Sequence, residues 1–274
     1  MTKLKQPDDL YEQIMTSTFD TTVNYLTTEH GTKIAWSGQV RPGRPTFIFF
    51  AGHGSDMHGT KAIAVDKWAR ENDYGIVRFD YFGHGQSSGE YLDGTISLWR
   101  KDCLAVIDHL TEGEIIIIGS SLGGWLMMLA ARDRMDRIAG LIGIAAAPDF
   151  TDDLIWDELS DDQKNIMQEQ GKIALPNPYA PEDVIYPYSL VEDGRNNFVL
   201  RDRQEAPFPV RLLHGMQDEE VPFTTAEKLA KNLDGDDVQV ILVEDAGHRF
   251  SSPEQIDILL ATLGEVTLKA GLAD

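Results

Sequence analysis

Cysteine is nearly absent: Cys103 is the only one in 274 residues. A lone thiol excludes an internal disulfide framework and fits a reducing compartment. Long apolar runs are also missing, since Ile115 to Ile118 is strand length and far short of a membrane span. Basic residues are few, 24 against 45 acidic, for a formal charge of −21. A surface of that sign repels phosphate backbones and anionic lipid, so neither nucleic acid nor stable membrane insertion is expected. Asp8, Asp9 and Glu12 stand where a secretory signal would be apolar or a transit peptide basic. Together these absences predict a cytoplasmic protein. There are no internal repeats or low-complexity segments. The chain is 42% hydrophobic, enough for the core of one large α/β domain.

Strand-like and helix-like stretches alternate, which predicts a mostly parallel sheet flanked by helices. Val23 to Thr28 and Thr32 to Trp36 flank a turn at Gly31 and read as an opening antiparallel pair. Further strands are expected at Thr46 to Phe50, Gly75 to Phe79, Glu114 to Ile118, Ile138 to Ala145, Val210 to His214 and Val238 to Val243. Apolar residues at helical spacing lie between them, as in Ile96, Trp99, Cys103, Val106, Ile107 and Leu110. Residues 149–209 are polar, acidic and punctuated by proline, with one helix opened by a Ser160–Gln163 capping box and closed near Gly171. They read as a cap inserted into a single domain spanning 1–274. Thr224 with Glu227, and Ser252 with Gln255, mark the starts of two later helices.

The run Ile115-Ile-Ile-Ile-Gly-Ser-Ser-Leu-Gly-Gly124 ends a buried strand in Gly-x-Ser-x-Gly. That spacing predicts a sharp strand-to-helix turn with Ser121 exposed at its tip as a nucleophile. Gly119 and Gly123 stand where any Cβ would collide with the corner. An activated serine needs a base, and the base needs an acid to hold its tautomer. Two histidines follow Ser121. His214 falls at a strand end and reads as packed there; His248 lies in a loop after the last strand and is taken as the base. Asp218, just past a strand, is the candidate acid, with Glu219 and Glu220 as its nearest competitors and Asp245 too close to His248 along the chain. The backbone N–H groups of Leu122 and His53 are the expected oxyanion-hole donors. This chemistry calls for no cofactor.

Other residues read more plainly. His53, Asp56 and His58 lack a third histidine placed to complete a metal site, so no metal is expected. Cys103 falls on an apolar stripe and is assigned to the core. Asp80 is expected to organise its loop through backbone N–H groups, with His84 beside it exposed.

These residues resemble the α/β-hydrolase superfamily over essentially the whole chain. Four stretches carry a closer likeness: Ser55–Ala62, Trp99–Asp102, Gly119–Met127 and Arg211–Met216. They resemble the branch of mitochondrial palmitoyl-protein thioesterases and acyl-glucuronide esterases, with its bacterial relatives. His53 departs from the aromatic residue usual at that position. The resemblance implies Ser121, Asp218 and His248 as the triad. It implies an acyl-enzyme serine hydrolase of esters or thioesters, acting on a small-molecule or acylated-protein substrate. Fatty-acyl thioesters or acyl glucuronides are the substrates it suggests. An anionic glucuronide would need cations in the cap, where Arg201 and Arg203 form the one close pair. Ile173, Leu175, Tyr179, Ile185 and Tyr186 are expected to shape the acyl site. Acyl transfer by the same triad, or a receptor that binds without turnover, are the alternatives.

Overall fold

A computed structural model describes residues 22–177 and 181–273, so the acidic stretch at Asp8, Asp9 and Glu12 and the side chain of Tyr179 lie outside the described residues. The chain forms β1 (Asn24–Thr27), β2 (Lys33–Gln39), β3 (Thr46–Phe50), α1 (Thr60–Glu71), β4 (Gly75–Phe79), α2 (Ile96–Leu110), β5 (Ile115–Ser120), α3 (Leu122–Asp133) and β6 (Ile138–Ile144). After β6 come a π-helical turn at Thr151–Trp156, α4 (Asp161–Gln170), β7 (Lys172–Leu175), β8 (Val184–Pro187), α5 (Tyr188–Gly194) and β9 (Gln204–Glu205). The chain then returns through β10 (Val210–Gly215), α6 (Thr224–Asn232), β11 (Leu233–Asp234), β12 (Val238–Val243) and α7 (Pro253–Lys269). None of the described helices is long and apolar enough to cross a membrane.

Eight strands make one sheet in the order β1-β2-β4-β3-β5-β6-β10-β12. The first two pair antiparallel, β2 meets β4 antiparallel, and every later pairing is parallel. Parallel strands need crossovers, and the crossover helices cover both faces. That is why β3, β4, β5 and β6 are buried at every residue and apolar apart from Thr46, Arg78 and Ser120. A strand walled on both sides has no polar face to alternate.

One charged pair sits inside this core. Arg78 of β4 donates from Nε to Asp66 Oδ2 of α1 at 2.8 Å, with both side chains fully buried. Arg78 also donates to the Met57 carbonyl, so the pair ties α1 to the loop after β3.

Between β6 and β10 the chain leaves the sheet. Asp149, at φ 59, accepts the Val199 and Leu200 amides at 2.9 Å each, pinning together the exit and the return of this segment. Sequence reasoning expects one helix there; α4 is joined by an antiparallel β7–β8 pair, α5 and the π-helical turn. The Ser160 and Ser252 capping boxes both form. Thr224 does not cap α6, because Phe223 before it is already helical.

Candidate active site

The strand-to-helix corner after β5 places Ser121 at φ 53, ψ −118, a region that L-residues rarely occupy. The surroundings hold it there. The Ser121 amide donates to the Ile144 carbonyl at 3.0 Å, and its carbonyl accepts from Gly124 and Ala147. A Cβ on Gly119 would lie 2.4 Å from the Gly123 carbonyl oxygen, and one on Gly123 would lie 2.1 Å from that of Phe50. Both obstacles are main chain and cannot swing away, so the corner requires glycine on each side.

Parallel strands bring the remaining groups to the same edge of the sheet, since the loops after β3, β5, β10 and β12 all leave the carboxyl ends. His248, after β12, has Nε2 3.1 Å from the Ser121 hydroxyl and Nδ1 2.8 Å from Asp218 Oδ2. Asp218, after β10, has a fully buried side chain with four donors around it. Its Oδ1 accepts the Glu220 and Val221 amides at 3.0 and 2.8 Å. Its Oδ2 accepts His248 and also faces His214 Nε2 at 3.2 Å. Burial alone would raise this carboxyl; the hydrogen bonds from His214, His248 and Val221 outweigh it and hold the acid below the usual carboxylate range.

His214 is packed, as its strand-end position suggests, and it touches the acid. Its Nε2–H is shared between the Val221 carbonyl at 2.9 Å and Asp218, leaving Nδ1 buried without a partner. Glu219, Glu220 and Asp245 are exposed.

The loop after β3 lies against the serine: a Cβ on Gly52 would be 3.4 Å from that of Ser121. Leu122 is the first residue of α3, so its N–H is one of those a helix start leaves without an intrahelical acceptor. The loop after β4 braces the His53 side. Asp80 Oδ1 accepts the Met57 amide at 2.7 Å and its Oδ2 accepts Gln86 at 2.8 Å. Tyr81 donates its hydroxyl to the Ala51 carbonyl at 3.1 Å. His84 accepts the Gly54 amide at Nε2, 3.1 Å away, while Nδ1 donates to the Phe82 carbonyl. His84 is therefore buried rather than exposed, and burial pushes its pKa down. A glycine-rich motif reveals that a loop turns but not what covers it.

His53 lies in an aromatic nest, stacked on Tyr186 with centroids 5.7 Å apart and with the Tyr91 hydroxyl 2.9 Å from its ring nitrogens. Burial, helped by His84, pushes it down to about 3, so the ring is neutral. Asp56 accepts its neighbour's amide, that of His58. Cys103 is buried and its thiol pushed well up by that burial.

A cavity of about 830 Å³ opens above Ser121 and His248. Phe49, Phe150, Leu154, Leu175, Val184 and Tyr186 give it an apolar wall. Ile185 is not on that wall, and Ile173 is used in a small separate cluster with Leu159, Met167 and Val191. Arg201 and Arg203 are also elsewhere. Arg201 pairs with Asp153 and lies 3.6 Å from Asp149, while Arg203 pairs with Asp234 at 3.2 Å. Paired within the chain and off the cavity wall, they are not the cations an anionic substrate would meet.

This sheet, with its strand-to-helix corner, defines a hydrolase class, and the chain belongs to the α/β-hydrolase family, whose model matches residues 42–257. The bovine palmitoyl-protein thioesterase ABHD10, mitochondrial, is 34% identical over 249 residues, 90% of this chain and 80% of that protein. Among solved structures, a putative hydrolase from Agrobacterium vitis S4 superposes with TM-score 0.85 at 37% identity, covering 89% of this chain and 98% of that one. Mouse alpha/beta hydrolase domain-containing protein 10 superposes with TM-score 0.84 at 33% identity, covering 91% and 99%.

The cytoplasmic expectation is overturned by these relatives, whose bovine, rat, mouse and human members are all named as mitochondrial. Cysteine scarcity and surface charge are properties of the folded molecule, whereas an address is read by a receptor.

Proposed function

We propose that the protein is a serine hydrolase of carboxylic esters or thioesters that works through an acyl-enzyme. One observation carries the reading: the Ser121, His248 and Asp218 side chains lie in a continuous hydrogen-bonded line that meets an apolar-walled cavity at Ser121 and His248. Ser121 Oγ attacks the acyl carbon while His248 Nε2 takes the hydroxyl proton. The imidazolium so formed is stabilised by Asp218, which stays ionised. The His53 and Leu122 amides receive the tetrahedral oxyanion. As the carbon–oxygen or carbon–sulfur bond breaks, His248 returns the proton to the departing alcohol or thiol. Water, deprotonated by the same nitrogen, then attacks the acyl-enzyme and releases the acid. No step needs a cofactor.

Residues 149–209 act as a cap, with Leu175, Val184 and Tyr186 helping to wall the acyl site. An apolar wall suits a fatty-acyl chain, and the names of the ABHD10 relatives favour the thioester of a palmitoylated cysteine among possible substrates. The test is labelling with a fluorophosphonate probe. Wild type should be labelled and Ser121→Ala should not; label retained in the mutant would move the nucleophile elsewhere.

A further inference from the structure

Asp218 and His248 are both carried on loops, whereas His214 belongs to the sheet. Within β10 it pairs with Leu242 of β12, and its neighbour Leu213 pairs with Ile144 of β6. The residue is 1% exposed, and its Nε2 faces two oxygens, the Val221 carbonyl at 2.9 Å and Asp218 Oδ2 at 3.2 Å. Two acceptors require Nε2 to carry the proton, so Nδ1 is the bare nitrogen, and it is buried with no partner. The ring leaves one nitrogen unsatisfied while the other points a donor at the acid. An orphaned buried nitrogen costs about 1–3 kcal/mol, a penalty that an apolar residue of similar size would not incur.

Fastening the loop does not account for this donor. The chain after β10 is already held by main-chain bonds, with Met216 donating to the Val243 carbonyl and Gln217 to the Ala246 carbonyl, each at 2.9 Å. Gly215 lies close against Ala246, where a Cβ would come within 2.1 Å of the carbonyl oxygen. What His214 alone supplies, among the described residues, is a second donor to Oδ2. Oδ1 is fixed by the Glu220 and Val221 amides. Oδ2 otherwise has only His248, the ring that must take up and return a proton. Burial would push the Asp218 carboxyl up, and among the donors that bring it below the ordinary range His214 comes first.

We propose that His214 is a positioning residue for the reaction: its Nε2–H pins Asp218 Oδ2, so that the carboxylate keeps its aim at His248 Nδ1 through both proton transfers. The role rests on the serine-hydrolase reading and adds to it a side chain that acts on the base only through the acid. His214 is not on the cavity wall, so it meets no substrate. The line becomes His214, Asp218, His248, Ser121, running from a strand of the sheet to the nucleophile. Without that donor, Oδ2 can turn about the Oδ1 contacts, and the His248 ring loses its fixed partner. A misplacement of about 1 Å at a reacting group can cost about 10²-fold in rate.

The test is a double-mutant cycle read by steady-state kinetics on a p-nitrophenyl ester, with a thermal melt of each variant. His214→Leu removes the donor and should lower kcat about 10- to 100-fold, with KM changed less than about threefold. His214→Gln can place an NH2 where Nε2 stands and should stay within about fivefold of wild type. In the Asp218→Asn background an NH2 replaces the acceptor, so His214→Leu should cost less than about twofold more. A fall of the same size in both backgrounds would make His214 only a support for the loop and would overturn the proposal. So would a folded His214→Leu enzyme less than about tenfold slower than wild type, or a glutamine variant as slow as the leucine one. If His214→Leu does not fold, the glutamine variant decides alone: within about fivefold of wild type upholds the role, and beyond that overturns it. Should Ser121 take no fluorophosphonate label and Asp218→Asn run at wild-type speed, the hydrolase reading itself fails. A labelled Ser121 and a slow Asp218→Asn enzyme, beside an unaffected His214→Leu, would overturn the positioning role alone.

Discussion

Replacing Asp218 by asparagine changes one oxygen to an NH2 and leaves the shape almost intact, so its effect can be worked from the four donors around that carboxylate. If the amide keeps its oxygen at Oδ1, the Glu220 and Val221 amides stay satisfied. The new NH2 then faces His248 Nδ1 and the His214 N–H. If the amide flips, its NH2 opposes two backbone N–H groups at 3.0 and 2.8 Å, which is the worse conflict. The first orientation therefore wins, and His248 must accept at Nδ1 and carry its proton on Nε2. That nitrogen faces Ser121 and can no longer take the hydroxyl proton. A wrong-tautomer histidine of this kind costs on the order of 10⁴ in kcat, about 5.4 kcal/mol of transition-state stabilisation. KM should change little, because the carboxylate touches no substrate. Steady-state kinetics on a p-nitrophenyl ester measure both constants, with a thermal melt to show that the variant is folded. A folded Asp218→Asn enzyme less than tenfold slower than wild type would refute the tautomer argument.

His84→Leu should remove the acceptor that holds the Gly54 amide. Losing an oxyanion donor outright costs about 10²–10³; loosening the loop that carries it should cost about tenfold in kcat and weaken binding of a boronic-acid inhibitor. Gly123→Ala would drive a Cβ into the Phe50 carbonyl and should destabilise by about 3 kcal/mol in urea unfolding; a loss under 1 kcal/mol would mean the corner relaxes easily. Asp66→Ala strips the buried Arg78 of its carboxylate and should cost about 3 kcal/mol by the same measurement, with Met57 still accepting from the guanidinium. The depressed Asp218 carboxyl contributes stability that is present above the ordinary carboxylate pKa of about 3.9 and lost as pH falls through its lower folded value. Urea melts of wild type and Asp218→Asn should therefore converge as pH drops from 6 toward 2, and parallel curves would contradict the assignment.

The sheet was legible because its strands are buried on both faces, and unbroken apolar runs such as Ile115–Ile118 have few other uses. Local capping chemistry was legible for the same kind of reason: Ser160 and Ser252 bond within their own turns, with no help from distant residues. Thr224 shows the limit, since the conformation of Phe223 before it removed the cap position. In the inserted segment the β7–β8 pair went unread, because four-residue strands among prolines carry too little periodicity to register. His84 was misjudged because nothing in Gly-His-Gly says that Trp99, Tyr91 and His53 will close over the ring.

What the residues decided alone is the alternation of strand and helix, and the corner at Ser121 that only flanking glycines permit. Chain order then limited which histidine and which acids could follow it. Tertiary structure decided the rest: that His214 shares the Asp218 carboxylate, that His84 braces the loop facing the serine, and that Arg201 and Arg203 pair with acids away from the cavity wall. The division has a physical cause. Burial patterns and turn sterics act over a few bonds and are written into neighbouring residues. Charge pairing and hydrogen bonding join groups far apart in the chain, and only the folded backbone fixes which of them meet.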